Sequence, residues 1–123
     1  MCRMLLSINP EFVSKILDGS KTYEFRKTKC RSNINKVLIY STSPCKKIVA
    51  EADILEVLED EPLRVWEITK KQSGISYNFF RKYYKGKKNA IAYHLKNVKA
   101  FDVPIELEEY GISYAPQSFC YVD

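Results

Sequence analysis

A chain of 123 residues, 46% apolar and 28% charged, with a formal net charge of +5, has room for one modest core and too little for a second. It carries no repeats, no low-complexity stretch and no apolar run of membrane-spanning length, which excludes fibrous, disordered and helical membrane-spanning classes. Its first apolar stretch is broken at Asn9-Pro10, too soon for a secretory leader, so a single domain over residues 1–123 and a cytoplasmic location are expected.

Taken in order, Arg3–Ile8 reads as a buried strand. Asn9 can cap a helix that Pro10 opens, with Phe12, Val13, Ile16 and Leu17 at helical spacing and Gly19 at the left-handed end. Lys21–Arg26 alternates, Tyr23 and Phe25 on one side and Thr22, Glu24 and Arg26 on the other. Residues 27–35 are polar and predict a loop. Lys36–Tyr40 predicts a buried strand and Lys46–Leu58 a long, bent one, with Ile48, Ala50, Ala52 and Ile54 on one face. A helix starts at Pro62 with Leu63, Trp66 and Ile68 as apolar anchors, and Gly74 breaks it. Ser76 caps another that runs through Phe79, Phe80, Tyr83 and Tyr84 to Gly86. Strands return over Ala90–Phe101 and within Tyr110–Val122. Helices are few and do not alternate with strands, which points to an α+β fold: a small curved sheet or barrel with helices at its ends.

The four cysteines, Cys2, Cys30, Cys45 and Cys120, form no CxxC pair, and His94 is the only histidine. Free thiols are expected, with no metal and no cofactor. Cys30 and Cys45 sit among lysines, but nothing orients a base toward either, and His94 falls in an alternating stretch that suits a strand. Phosphate-loop, GxGxxG, HExxH and GxSxG motifs do not occur.

Charge is unevenly spread. Between Glu67 and Asp102 there is no acidic residue, while the run Arg81-Lys82-Tyr83-Tyr84-Lys85-Gly86-Lys87-Lys88 mixes cations with aromatics. Solvated charge runs are ordinary, but segregation of this kind makes a field that attracts polyanions. Phe79, Phe80 and one tyrosine suit the core stripe of a helix; the lysines do not, and Lys82, Tyr84, Lys85, Lys87 and Lys88 are the candidate nucleic-acid surface. The second concentration of chemistry is Gly19-Ser20-Lys21-Thr22-Tyr23-Glu24-Phe25-Arg26, a lysine, a carboxylate and an arginine just beyond a helix end. These can be a surface ion cluster of little consequence, or a point charge and a planar fork for phosphate or a base edge.

Gly19-x-Lys21-x-x-x-x-Arg26 resembles the GxKxxxxR signature of the ASCH domain family, in the PUA-like superfamily. Leu5–Gly19 is similar to that family's first strand and helix, and Val37–Pro44 to its strand ending in a Tyr-Ser-Thr-x-Pro loop. Ile75–Tyr84, Ala90–Leu95 and Pro116–Phe119 resemble a short bacterial and archaeal branch whose members are labelled predicted transcriptional regulators. The resemblance implies a mixed pseudo-barrel with flanking helices and a cleft lined by Lys21 and Arg26. It implies RNA or a modified nucleotide as partner, with Tyr40, Ser41, Thr42, Ser43, Gln117 and Ser118 supplying hydroxyl and amide contacts, and neither membrane nor metal.

Family activities are heterogeneous. Small members resembling an acetylcytidine amidohydrolase use a lysine, a threonine three positions later and a distant glutamate. Lys21 stands at the lysine, Glu24 replaces the threonine, and Glu51 is the candidate for the distant glutamate. Three readings therefore stay open. One is a binding module in which Lys21, Glu24 and Arg26 grip the ligand, with an ionised Glu24 at a partly exposed cleft mouth keeping Lys21 protonated. Another is a hydrolase of a nucleoside or RNA in which Lys21 and Glu24 are catalytic. The third is a regulatory protein-interaction domain.

Overall fold

The computed structural model describes residues 2–122. In chain order it contains β1 (Arg3–Ile8), α1 (Pro10–Asp18), β2 (Tyr23–Arg26), β3 (Lys36–Ser41) and β4 (Lys47–Asp60). Next come α2 (Pro62–Thr69), α3 (Tyr77–Tyr83), β5 (Ala90–Ile105) and β6 (Phe119–Val122), with short 3-10 turns at Lys70–Gln72 and Leu107–Tyr110.

Local signals account for the first elements. The Asn9 side chain accepts the Glu11 N–H at 3.0 Å, Pro10 opens α1, and Gly19 ends it at φ 89°, its N–H donating to the Ile16 carbonyl. Ser76 caps α3 in the same way, accepting the Phe79 N–H at 3.1 Å. The strands form one mixed sheet in the order β2-β5-β4-β3-β1-β6, in which β1 and β3 are the parallel pair. Register shifts at Ile48/Ala50, Glu51/Asp53 and Ile54/Glu56 interrupt the long β4–β5 ladder. Such bulges bend a strand and increase its twist. The sheet curls into a half-barrel with three helices against it, the expected α+β, PUA-like architecture.

Burial follows the two-residue period of the strands. Met4, Leu6, Ile8, Val37, Ile39, Ala50 and Ala52 meet Val13 and Ile16 of α1 on one face. Leu5, Leu38, Tyr40 and Ile48 meet Leu107 and Val122 on the other, so β1 and β3 are buried on both sides. Tyr23 and Phe25 of β2 pack with Val65, Phe80 and Tyr84 of the helical layer.

That helical layer departs from expectation in two places. α2 ends at Thr69, before Gly74, and Leu63 and Ile68 face solvent at 64% and 57% exposure, while Val65 and Thr69 turn inward. Tyr84, a candidate for the nucleic-acid surface, is only 3% exposed. Its hydroxyl lies 2.8 Å from the Arg26 carbonyl and 3.0 Å from that of Ile91, which ties α3 to the β2–β5 pair. Burial pushes that phenol well above its ordinary value.

Tyr84→Phe removes the one hydrogen these two carbonyls share. It is expected to destabilise the fold by about 1–2 kcal/mol, the cost of stranding a buried acceptor. A denaturant midpoint unchanged from the parent would show that the contact is not a tie.

Candidate functional site

β2 leaves α1 through the Gly19 turn, and the same turn brings Lys21 inward. The Lys21 N–H donates to the Lys15 carbonyl at 3.0 Å, and the Thr22 N–H to the Gln72 carbonyl at 3.0 Å. The Lys21 side chain is 2% exposed, and its Nζ donates to the Ser73 carbonyl at 2.6 Å. The rings of Phe12 and Phe25 lie 5.3 and 4.9 Å from the ammonium, within cation–π range. Gly74, at φ +70°, runs directly over the lysine stem: a Cβ there would fall 2.7 Å from the Lys21 Cβ and Cγ. Only glycine leaves room for the stem at that backbone angle.

Glu24 and Arg26 follow on the same face of β2, both buried. The Arg26 Nε and Nη2 donate to Glu24 Oε2 at 3.1 and 2.7 Å. Nη2 also donates to the Ser7 carbonyl at 2.8 Å, and Nη1 reaches the Ser118 carbonyl and Oγ, each at 3.2 Å. A guanidinium has five N–H donors, and here five contacts engage them. Arg26 is thus spent inside the protein, where it fixes Glu24, β1 and the approach to β6. The expectation that it grips a ligand meets this physical objection.

The expectation of a partly exposed Glu24 is corrected, since the residue is only 6% exposed. Its charge is held chiefly by Arg26, and the Lys21 Nζ stands 3.9 Å from Oε1. Desolvation therefore outweighs the pull of Glu24, and Lys15 and Arg26 add repulsion. The Lys21 ammonium is lowered from 10.5 to about 8.

These groups open onto a cleft of about 530 Å³. Lys21, Glu24 and Arg26 form one side, with Lys27 beside them, its Nζ 4.6 Å from the centre of the Tyr83 ring. Phe12 and Phe79 meet edge-to-face at 5.6 Å and form an aromatic wall. Gln117 and Ser118 close the remaining side. The lining holds three cations, Lys21, Arg26 and Lys27, against one carboxylate, Glu24.

The structure therefore brings together Lys21, Glu24, Arg26, Gln117 and Ser118 of the expected site residues. Tyr40, Ser41, Thr42 and Ser43 do not line the cleft: Tyr40 packs with Leu5, Leu38 and Ile48, and Ser41 is buried. Glu51 lies on β4 opposite Leu38 and Lys99, and is likewise outside the lining. Lys82 and Lys85 border a separate recess, and Lys87 and Lys88 are exposed beyond it. Sequence reasoning missed Ser73 and Gly74 as the seat of Lys21, Phe12 and Phe79 as the wall, and Lys27. In the sequence Gly74 reads only as a helix breaker.

Among the described residues no group of His, Cys, Asp and Glu could hold a metal ion, and the cysteines are free. Among the same described residues no helix is long and apolar enough to cross a membrane.

Comparison with known proteins agrees with this fold. The profile of a family described as "Domain of unknown function (DUF365)" matches residues 4–115. The large ribosomal subunit protein uL22 of Ureaplasma parvum is 32% identical over 97% of this chain, which spans 39% of that protein's length. An ASCH domain-containing ribonuclease of Zymomonas mobilis is 26% identical over 85% of the chain and 71% of its own length. The crystal structure of ASCH from Zymomonas mobilis superposes with a TM-score of 0.89 at 25% identity, covering 98% of this chain and 87% of that one.

Burial of Lys21 has a signature in stability. Its folded-state value of about 8 lies below 10.5, so between those values the unfolded chain binds more protons. The cost of burying the charge is complete below pH 8 and is relieved as pH rises toward 10.5. Across that window urea stability of the parent should rise relative to Lys21→Met, whose side chain has no charge. A difference independent of pH would place the ammonium in solvent. Gly74→Ala should displace the lysine stem, cost about 1–3 kcal/mol and move the Lys21 titration, followed by NMR, back toward its ordinary range.

Proposed function

Since the chain belongs to the DUF365 family and has the fold of an ASCH domain, we propose that its cleft binds a nucleotide of single-stranded RNA, or a modified nucleotide, with Lys21 as the anchoring cation. The observation that carries this reading is the charge left over in the cleft. Glu24 is already neutralised by Arg26, so Lys21 sits desolvated with one carbonyl as its close partner and an anion as its natural complement. The Phe12–Phe79 wall offers a face for a base, and the Ser118 hydroxyl and Gln117 amide offer directional contacts at the rim. Arg26 takes part indirectly, by holding Glu24 and Ser118 where they are. One similar protein is named a ribonuclease and another a ribosomal protein, which accords with an RNA partner.

A second reading has its own support. A lysine lowered to about 8 exchanges protons near neutral pH, as a general base or acid must. In this reading Lys21 takes a proton from the attacking group and Glu24, engaged by Arg26, tunes the lysine in place of acting alone. RNA and acetylcytidine are the substrates to try.

One titration separates the two. Lys21→Met should weaken binding of a labelled single-stranded oligouridylate by about 1–3 kcal/mol, the range of a good directional contact. Anchoring by the ammonium predicts affinity that falls as pH passes upward through about 8, because the cation is lost there. Base catalysis predicts the opposite slope, turnover rising through the same pH. Turnover abolished in Lys21→Met would establish the hydrolase, and oligouridylate affinity equal in parent and variant would refute the anchoring role.

A further inference from the structure

Resting on that RNA reading, we propose that the recess on the opposite flank of α3 is a second nucleotide subsite, taking a neighbouring part of the strand whose one nucleotide occupies the cleft. The recess has a volume of about 380 Å³. Phe80 and Tyr84, both buried, form its floor, and Leu63 and Tyr77, 64% and 41% exposed, form its wall. Arg81, Lys82 and Lys85 line it, and no carboxylate does. All three cations are exposed, and none is in an ion pair among the described residues.

The combination selects the occupant. A solvated charged face needs no apolar floor, and an apolar docking groove needs no row of unpaired cations. A nucleotide presents what both halves accept, a flat base for the Tyr77 and Leu63 wall and a phosphate for Arg81, Lys82 and Lys85.

α3 divides the two sites. Phe79 and Tyr83 face the cleft, while Tyr77, Phe80, Arg81 and Tyr84 face the recess. A helix with its side chains is about 10–12 Å across, more than a mononucleotide bridges, so one strand must pass over α3 to fill both. The Tyr84 hydroxyl, seated on the Arg26 carbonyl, joins the floor of the recess to the strand that carries the cleft. Both subsites are therefore held in fixed relation, and occupation of the first raises the local concentration of strand at the second.

The test uses the full chain with two probes, uridine monophosphate and a single-stranded oligouridylate long enough to cross α3. Charge is removed by combining Arg81→Gln, Lys82→Gln and Lys85→Gln. Leu63→Glu places a negative charge on the exposed wall without disturbing the floor. Each change should lower oligouridylate affinity about tenfold or more and leave uridine monophosphate unaffected. The triple variant should also flatten the log–log salt dependence by roughly 0.7, the share of the one phosphate its cations hold. Equal loss for both probes, or a loss in the triple variant that Leu63→Glu does not reproduce, would reduce the recess to a diffuse field and overturn the proposal. An acidic peptide held through these three cations while RNA binding is unchanged would overturn it in favour of a protein partner. Failure of the cleft itself is read separately, as indifference of both probes to Lys21→Met.

Discussion

The contact on which the rest of this molecule depends is the buried pair of Glu24 and Arg26. A carboxylate and a guanidinium taken out of water are each costly, and the pair persists because its remaining donors are also satisfied. Here those donors reach the Ser7 carbonyl of β1 and the Ser118 carbonyl and hydroxyl ahead of β6. One side chain on a four-residue strand thereby ties β2, at one edge of the sheet, to the two strands at the other. Removing either partner of such a pair costs about 3–5 kcal/mol, because the other charge remains buried. That magnitude marks the arginine as a structural tie before it is anything else.

With Arg26 absorbing the carboxylate, Lys21 is left in an unusual position. Its stem is pressed under Gly74, its ammonium lies near two aromatic rings, and one backbone carbonyl holds its tip. The two positively charged residues of the signature thus divide the labour. The planar fork suits many fixed acceptors at once, and the point charge suits one close partner and an easily shifted proton affinity. Their exchange would satisfy neither place.

Much of this was legible in local chemistry. Asn9-Pro10 and Gly19 bound α1, and alternation in β2 put Tyr23 and Phe25 opposite Glu24 and Arg26, because caps and pleats are set by nearest neighbours. The resemblance to ASCH domains supplied the cleft around Lys21. What could not be read was long-range or chemically anonymous. Nothing near Arg26 announces Ser118, which lies 92 residues away. The Ser73 carbonyl looks like every other carbonyl in a sequence. Tyr83 and Tyr84 are adjacent aromatics about 100° apart around α3, and only the finished layer decides that one meets the cleft and the other the core. The polar face of β2 suggested solvent, whereas the Gln72–Ile75 segment and the Ser118 loop cover it.

The attachment of Ser118 also sets an order of assembly. Its carbonyl receives the Ser7 N–H at 3.1 Å as well as Arg26, and the Ser7 hydroxyl donates to Pro116 across 109 residues of chain. Contacts of such separation close late, since the entropy of the intervening loop must be overcome first. A chain still emerging from the ribosome can therefore pair β1 with β3 and seat α1 while the far wall of the cleft does not yet exist. Nascent protein carries Lys21 and Arg26 without the completed cavity around them, and closure of the cleft coincides with docking of the last strand.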